Sequence, residues 1–204
     1  MLKIAVFVSG RGSNLKAIIN SIPHQLENVE ISAVISDKKD CPALDYAEGL
    51  GIKTLFVSEK DPQSINYENL IQILCGLKTD LIVLAGFLKK IPDEMIENFP
   101  NKIINIHPAL LPSFGGKGMY GMNVHKAVFE NSCQISGPTV HFVDKIYDNG
   151  KIIAQKAVDI SDVKTPDEIA ERVLKIEHIL LPFVIKKISE NKISIKNNRV
   201  YIAE

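Results

Sequence analysis

Residues 1–14 read MLKIAVFVSGRGSN, and this stretch decides the fold. Positions 4–8 form a short apolar run, mostly β-branched, and a turn with Gly10 and Gly12 follows at once. A run of this kind before a glycine turn is typical of a buried parallel strand that leads into a helix. It is too short for the apolar region of a secretory signal peptide. The stretch therefore predicts the first strand and helix of an α/β sheet.

Further apolar runs alternate with amphipathic segments along most of the chain. This rhythm predicts an α/β fold with a doubly wound, mostly parallel sheet. The predicted strands lie at 4–8, 31–35, 54–57, 81–85 and 103–106, and the predicted helices lie at 14–21, 42–50, 65–77 and 93–98.

The pattern changes after about residue 132. Residues 135–143 and 151–158 predict two neighbouring antiparallel strands joined by a polar turn at 144–150. A long helix is expected at 166–188, with Thr165 as its cap, and Pro182 should kink or break it. Residues 193–202 read as a short strand pair, so antiparallel strands are expected in the C-terminal part.

Composition excludes some classes of partner. The chain has 204 residues, of which 46% are hydrophobic, and 24 basic residues balance 24 acidic ones. Nucleic-acid-binding proteins usually carry a basic surplus, so we expect no nucleic-acid partner. No apolar run approaches the length that crosses a bilayer, so we expect no membrane partner.

The cysteines indicate a reducing compartment. Cys41, Cys75 and Cys133 are odd in number and lack the spacing of metal ligands. A disulfide framework is therefore not expected, nor is a metal, and the predicted location is cytoplasmic.

Two segments carry candidate chemistry. The turn 9–14 opens a helix, and backbone N–H groups there suit a phosphate, although a turn that binds no ligand is the alternative. Asn105 and His107 end the fifth predicted strand on one side of it, where an amide donor and an imidazole could stabilise an oxyanion and move a proton. The alternative is a histidine that merely closes a strand through a hydrogen bond. Asp148 is an ordinary turn residue by its sequence context, and His125 and His141 suggest structural or surface roles.

Five segments resemble one family. They occur in order over about residues 3–185, and they are similar to those of the phosphoribosylglycinamide formyltransferases, within the folate-dependent formyltransferase family. The segments are SGRGSN at 9–14, AGFLKKIP at 85–92, INIHPALLPSFGGKGMYG at 104–121, ISGPTVHFVDKIYDNGKIIAQ at 135–155 and ERVLKIEH at 171–178. The resemblance implies a Rossmann-like formyltransferase fold. It implies one domain over 1–204, with a nucleotide-binding half at 1–100 and a catalytic and folate-binding half at 101–204.

The resemblance also implies roles for single residues. A formyl group would pass from 10-formyltetrahydrofolate to glycinamide ribonucleotide in purine synthesis, with small-molecule partners only and a monomer or weak homodimer as the assembly. His107 would be charged, with Asp148 raising its pKa. The implied catalytic residues are Asn105, His107 and Asp148; the ribonucleotide-binding residues are Gly12, Ser13, Asn14 and Glu177; the folate-binding residues are Leu88, Lys89, Lys90, Ile91, Asn105 and Asp144.

Some positions depart from the family, and some rival functions stay open. Gln63 and Ser64 stand where relatives often carry an arginine, and Gly115 stands where they often carry a side chain. The family also predicts a cis peptide bond between Leu111 and Pro112. The rivals are a formyltetrahydrofolate hydrolase, a methionyl-tRNA formyltransferase and a non-catalytic sugar-phosphate-binding module. The first two are expected to carry a further domain, and the third to lack one of the catalytic residues.

Overall fold

The computed structural model describes residues 1–204, which form two compact units, at 1–104 and 105–204. The expectation of a single formyltransferase domain stays a prediction. No helix among residues 1–204 combines the length and the apolar character needed to span a membrane.

The N-terminal unit is a parallel sheet with helices between its strands. Strand β1 pairs in parallel with β2 and β4, and β2 pairs with β3, so the order is β3-β2-β1-β4 with β5 next. The elements are β1 Leu2–Val8, α1 Ser13–Ser21, β2 Val29–Ser36, α2 Pro42–Glu48, β3 Thr54–Phe56, α3 Tyr67–Gly76, β4 Leu81–Leu84, α4 Asp93–Asn98 and β5 Ile103–His107, which continues into the second unit.

Burial explains why β1 forms the centre of this sheet. All five residues from Ile4 to Val8 are fully buried, so neither face of the strand contacts solvent. The β-branched residues suit such a strand, and their burial supplies much of the stabilisation of the unit. The prediction of a mostly parallel, doubly wound sheet is confirmed.

The C-terminal unit continues from β5 with antiparallel pairing. Strand β7 follows β5 in the sheet and pairs antiparallel with β8, while β6 pairs with β9 and β10 with β11. The elements are α5 Met122–Glu130, β6 Ile135–Ser136, β7 Thr139–Phe142, β8 Ile152–Gln155, β9 Val158–Asp159, α6 Pro166–Ser189, β10 Ile193–Lys196 and β11 Arg199–Ile202.

Two sequence-based expectations about strands and helices need correction. The predicted strand 135–143 is split into β6 and β7 at Gly137, whose φ is +144°. A Cβ at Gly137 would lie only 2.0 Å from the Lys156 carbonyl oxygen, so the backbones approach too closely there for any side chain. Helix α5 was not expected at all. Its N-cap is Gly121, which has no side chain that could mark the start of a helix in the sequence. The helix is held by burial of Val124 and Val128.

Helix α6 shows how packing outweighs a local breaker. It runs without interruption over 24 residues, so a break at Pro182 is wrong, whereas the alternative expectation of a kink there stays a prediction. Proline removes one backbone donor, but buried residues on both sides, including Leu181 and Val184, hold the helix in place. Its start agrees with the sequence, because the Thr165 side chain accepts a hydrogen bond from Glu168 N.

Candidate active site

Strand β5 delivers two candidate side chains to the C-terminal unit. Asn105 is half-buried, and His107 is only 3% exposed at the last position of the strand. The Nε2 of His107 lies 2.8 Å from the carbonyl oxygen of Phe114, so Nε2–H donates to it. The other ring nitrogen, Nδ1, lies 3.6 Å from Oδ2 of Asp148, beyond hydrogen-bonding distance. Nδ1 is therefore the nitrogen left to accept a proton.

Asp148 occupies an unusual backbone position beside this histidine. Its φ is +53°, a left-handed conformation that aspartate and asparagine adopt more readily than most residues. Its Oδ2 accepts a hydrogen bond of 2.9 Å from Gly116 N, and its side chain is 11% exposed. The sequence context alone indicated a turn residue, and the structure shows a turn residue whose carboxylate faces His107.

His141 belongs to the same cluster, although its sequence context suggested a structural or surface role. It is 2% exposed on β7, and its Nδ1 lies 2.8 Å from the Phe142 carbonyl oxygen. Its Nε2 lies 3.1 Å from Nδ2 of Asn105 and 3.6 Å from Oδ1 of Asp148. The pairing of β7 with β5 brings His141 to Asn105. The one signal in the sequence is the alternation of polar and apolar residues along 139–141, which places His141 on one face of its strand. His141 thus connects Asn105 with Asp148, and Asp148 in turn faces His107.

Residues 109–116 form the wall beside His107 and Asp148. The Leu111–Pro112 peptide bond is cis, which confirms that prediction. Leu111 N donates to Oγ1 of Thr139 at 3.0 Å, and Leu111 O accepts from Nε2 of Gln155 at 2.9 Å. These bonds fix the segment that supplies the Phe114 carbonyl and the Gly116 N–H group.

Gly115 explains one departure from the family. A Cβ there would lie 2.5 Å from Cδ2 of Leu111 and 3.2 Å from Cβ of Asp148. The leucine side chain can rotate away, whereas Asp148 would have to move by a few tenths of an ångström. In this chain the glycine is therefore linked to the position of the carboxylate.

Burial and charge set the protonation states of the cluster. Burial lowers the pKa of His107 and outweighs the Asp148 charge and the Phe114 carbonyl, both of which raise it. The lowered pKa favours a neutral imidazole in the resting site, and the charged His107 that the resemblance implies during the reaction stays a prediction. Burial raises the pKa of Asp148, but the neighbouring His141 and His107 rings and the Gly116 N–H group together lower it below the usual value. The pair thus rests as a neutral base beside an ionised carboxylate.

His125 lies on α5 in the same unit and is 6% exposed. Its Nδ1 is buried without a hydrogen-bond partner, and burial lowers its pKa to about 4, with the charge of His107 acting in the same direction. The structure therefore makes it a buried structural residue, as its sequence context suggested.

The glycine-rich loop, residues 9–14, lies in the N-terminal unit. Gly12 is the N-cap of α1 with φ +71°, and no side chain caps the helix. A Cβ at Gly12 would lie 2.6 Å from Cβ of Ala43, so the loop needs glycine both for its conformation and for its packing. Ser13 is half-buried and Asn14 is buried at the first turn. Such a helix start suits an anion, as the sequence predicts.

The 88–91 segment follows β4 in the same unit. Leu88 is 44% exposed, Lys89 and Lys90 are exposed, and Ile91 is buried. Lys90 Nζ lies 3.3 Å from Oδ1 of Asp93. Ile91 thus anchors the segment in the core, whereas Leu88 leaves an apolar side chain accessible.

Two other predicted binding residues lie in the C-terminal unit. Glu177 is a charged residue that is only 8% exposed on α6. Asp144 is half-buried, and its Oδ1 accepts a hydrogen bond of 2.9 Å from Ile146 N, which shapes the segment that carries Asp148. No group of three or more residues in 1–204 could hold a metal ion.

This arrangement can accept a proton and stabilise the resulting charge. Nδ1 of His107 is the free base, and the Asp148 carboxylate would stabilise the imidazolium once it forms. The Asn105 amide uses one N–H toward His141 and keeps a second N–H for an oxygen that gains negative charge. These are the functions that an acyl transfer to an amine requires.

Comparison with known proteins identifies one family. The formyl transferase family model matches residues 2–185. A chloroplastic phosphoribosylglycinamide formyltransferase of Arabidopsis thaliana is 43% identical over 97% of this chain and 69% of its own length. The phosphoribosylglycinamide formyltransferase of Bacillus subtilis is 35% identical over 92% of this chain and 95% of its own length. The crystal structure of the Anaplasma phagocytophilum enzyme of that name superposes with a TM-score of 0.90 at 35% identity, covering 100% of this chain and 94% of that one. This chain therefore belongs to the formyl transferase family.

Proposed function

We propose that this chain transfers a formyl group from 10-formyltetrahydrofolate to the amino group of glycinamide ribonucleotide, a step of purine synthesis. Relatives with this activity in their names match over most of the chain. The observation that carries the proposal is the geometry of His107, whose Nε2 is fixed by Phe114 and whose Nδ1 faces Asp148 at 3.6 Å.

In this proposal His107 moves the proton of the reaction. The amine nitrogen forms a bond to the formyl carbon and loses one proton, while the bond from that carbon to the folate nitrogen breaks and the nitrogen gains a proton. His107 accepts the first proton at Nδ1 and returns it to the leaving nitrogen. Asp148 stabilises the imidazolium between these two events.

Asn105 stabilises the oxygen. When the amine adds to the formyl carbon, the carbonyl oxygen becomes an oxyanion, and the second N–H of Asn105 would donate to it. Removing one donor of this kind typically costs about 3–4 kcal/mol of transition-state stabilisation. The charged form of His107 exists at the same stage and adds to this effect.

The remaining residues would bind the two substrates. Gly12, Ser13 and Asn14 would hold the phosphate of the ribonucleotide, and Glu177 would bind elsewhere on it. Leu88, Lys89, Lys90, Ile91 and Asp144 would contact the folate, together with Asn105. The support for the phosphate assignment is the uncapped start of α1, and the support for the folate assignment is the family motif.

We further propose a cytoplasmic enzyme that acts as a monomer or weak homodimer. It would need neither a metal ion nor a nucleic-acid or membrane partner. Equilibrium sedimentation of the purified chain tests the assembly.

The function is tested by offering three acceptors to the purified protein. With 10-formyltetrahydrofolate present, formyl transfer is followed to glycinamide ribonucleotide, to charged initiator tRNA and to water. We expect transfer to the ribonucleotide only, and no transfer by His107→Ala purified in the same way. Transfer to tRNA, or release of formate alone, would support one of the other folate enzymes. Binding without transfer would support a sugar-phosphate-binding module.

A further inference from the structure

One serine hydroxyl connects three segments of the N-terminal unit. Ser9 follows β1 and is 3% exposed. Its Oγ lies 2.5 Å from Oδ1 of Asp37, which follows β2, and 2.9 Å from the backbone nitrogen of Leu88, which follows β4. Its own N–H donates to the Gly86 carbonyl at 3.1 Å. The glycine-rich loop and the 88–91 segment therefore meet at this residue.

The direction of these hydrogen bonds is fixed by chemistry. A hydroxyl has one hydrogen and two lone pairs, and the Leu88 N–H group can only donate. The Ser9 hydrogen therefore goes to the Asp37 carboxylate, which makes a short, charge-assisted bond. Donation to a carboxylate also makes Oγ a better acceptor for Leu88. Asp37 thus acts on Leu88 through Ser9.

The residues after β2 support the glycine-rich loop at two further points. The thiol of Cys41, which is 1% exposed, donates to the Gly10 carbonyl at 3.1 Å. Ala43 is fully buried against Gly12, at the spot where a Cβ on that glycine would collide. The loop is therefore held from the β2 side along its length, and Asp37 provides the one charged contact.

We propose that Asp37 is a positioning residue that, through Ser9, sets the geometry of the glycine-rich loop and of the 88–91 segment together. The inference rests on the proposed function of those two segments. Loss of the Asp37 carboxylate should weaken binding of the ribonucleotide and of the formyl donor in parallel. The chemical step on bound substrates should stay intact, because Asn105, His107 and Asp148 make no use of Asp37.

The first test compares Asp37 with Asp40, two aspartates in the segment between β2 and α2. Asp37→Ala should raise KM for both substrates about tenfold, the scale of a lost hydrogen bond to a charged group. Its kcat should change by less than about twofold, since uniform binding is lost. Asp40→Ala removes the same charge from an exposed position nearby, and both KM values should stay at the wild-type level. Asp37→Asn keeps an oxygen acceptor, so its KM values should lie between those of wild type and Asp37→Ala.

The second test reads the contact itself and needs no substrate. Hydrogen exchange of the Leu88 amide should be slow in the wild type and faster in both Ser9→Ala and Asp37→Ala. Ser9 and Asp37 act through the same hydrogen-bonded connection. The double variant should therefore have KM values no higher than those of whichever single variant binds the substrates less tightly.

Three results would overturn the inference: wild-type KM values in Asp37→Ala, unchanged Leu88 exchange in that variant, or a loss of Tm and kcat together in Asp37→Asn. A wild-type protein that transfers no formyl group to the ribonucleotide would instead contradict the proposed function. Leu88 exchange and the calorimetric affinity for inorganic phosphate then decide the inference separately.

Discussion

The two units of the molecule build their candidate sites from different materials. The candidate site of the N-terminal unit is formed by backbone groups. They are those of Gly12, whose φ is +71°, and of the start of α1, which no side chain caps, in a loop packed against Ala43. The C-terminal unit uses ionisable side chains, His107 and Asp148, whose pKa values are set by burial and by each other. A site made of backbone is sensitive to added atoms, whereas a site made of side chains is sensitive to a change of charge. The comparison predicts that substitutions in the two units alter different kinetic constants.

The largest effect is expected from Asp148→Asn. Asparagine suits the left-handed conformation at φ +53°, so the fold and Tm should stay nearly unchanged. The substitution removes the charge that stabilises a protonated His107, and kcat should fall by about two orders of magnitude or more. Steady-state kinetics and a melting curve measure both quantities. Wild-type turnover would return Asp148 to the role of a turn residue.

The pH dependence of the same variant sharpens this prediction. His107 must be neutral to accept a proton, so kcat should fall as the pH drops through its pKa, which burial already lowers. Without the Asp148 charge, that pKa falls further, and the acid limb of the profile should move to lower pH by about one unit. An NMR titration of the His107 ring checks the assignment. A kcat that instead falls as the pH rises through the His107 pKa would show that His107 acts in its charged form from the start.

A smaller effect, on a different constant, is expected in the N-terminal unit. Gly12→Ala places a Cβ against Ala43 at a positive φ, whereas Gly10→Ala meets nothing within 4 Å. The KM for the ribonucleotide should rise about tenfold in Gly12→Ala, as for one lost charged hydrogen bond, and should stay near wild type in Gly10→Ala. The KM for the formyl donor should change less. Equal changes in the two glycine variants would contradict the phosphate assignment.

Gly115→Ala tests whether the site in the C-terminal unit is also sensitive to an added atom, with no change of charge. The new Cβ would meet Leu111 and Asp148, so the carboxylate should shift while its charge is kept. We expect a loss of kcat of about tenfold or less, since a small displacement of a catalytic group is costly but leaves the group present. An unchanged kcat would show that the segment absorbs the extra methyl group.

The smallest effect is on acid stability. The pKa of His125 is about 4 in the fold against 6.5 ordinarily, so the unfolded chain binds its proton more tightly. The neutral ring makes its full contribution to the free energy of unfolding above pH 6.5. That contribution is lost as the pH falls from 6.5 to 4, by at most about 1.4 kcal/mol per pH unit. His125→Gln should flatten this slope in urea unfolding, and the exposed His24→Gln should not. Equal slopes in all three proteins would contradict a neutral His125 in the fold.

Local patterns predicted the N-terminal unit well. The strand at 4–8 and the helix at 93–98 follow from apolar runs and turns that lie next to each other in the chain. Asn105 and His107 could be selected because they end a strand, where sites in parallel sheets lie. Asp148 needed the family resemblance, since its neighbours are ordinary turn residues.

The features that the sequence did not reveal depend on contacts between distant residues. His141 joins the cluster only because β7 lies beside β5, which is a matter of strand pairing. The start of α5 at Gly121 carries no capping side chain, and the continuity of α6 through Pro182 depends on its buried neighbours. The lowered pKa of His107 results from burial, whose effect exceeds that of the nearby Asp148 charge, and burial follows from the packing of distant residues.

The most direct test of this account is the rate of a single turnover with both substrates at saturating concentration. It should be measured for the wild type, Asp148→Asn and Gly12→Ala. Saturation removes differences in binding, so Gly12→Ala should react at nearly the wild-type rate and Asp148→Asn about a hundredfold more slowly. A wild-type rate in Asp148→Asn, or an equally slow rate in Gly12→Ala, would contradict the separation of binding by backbone from chemistry by side chains.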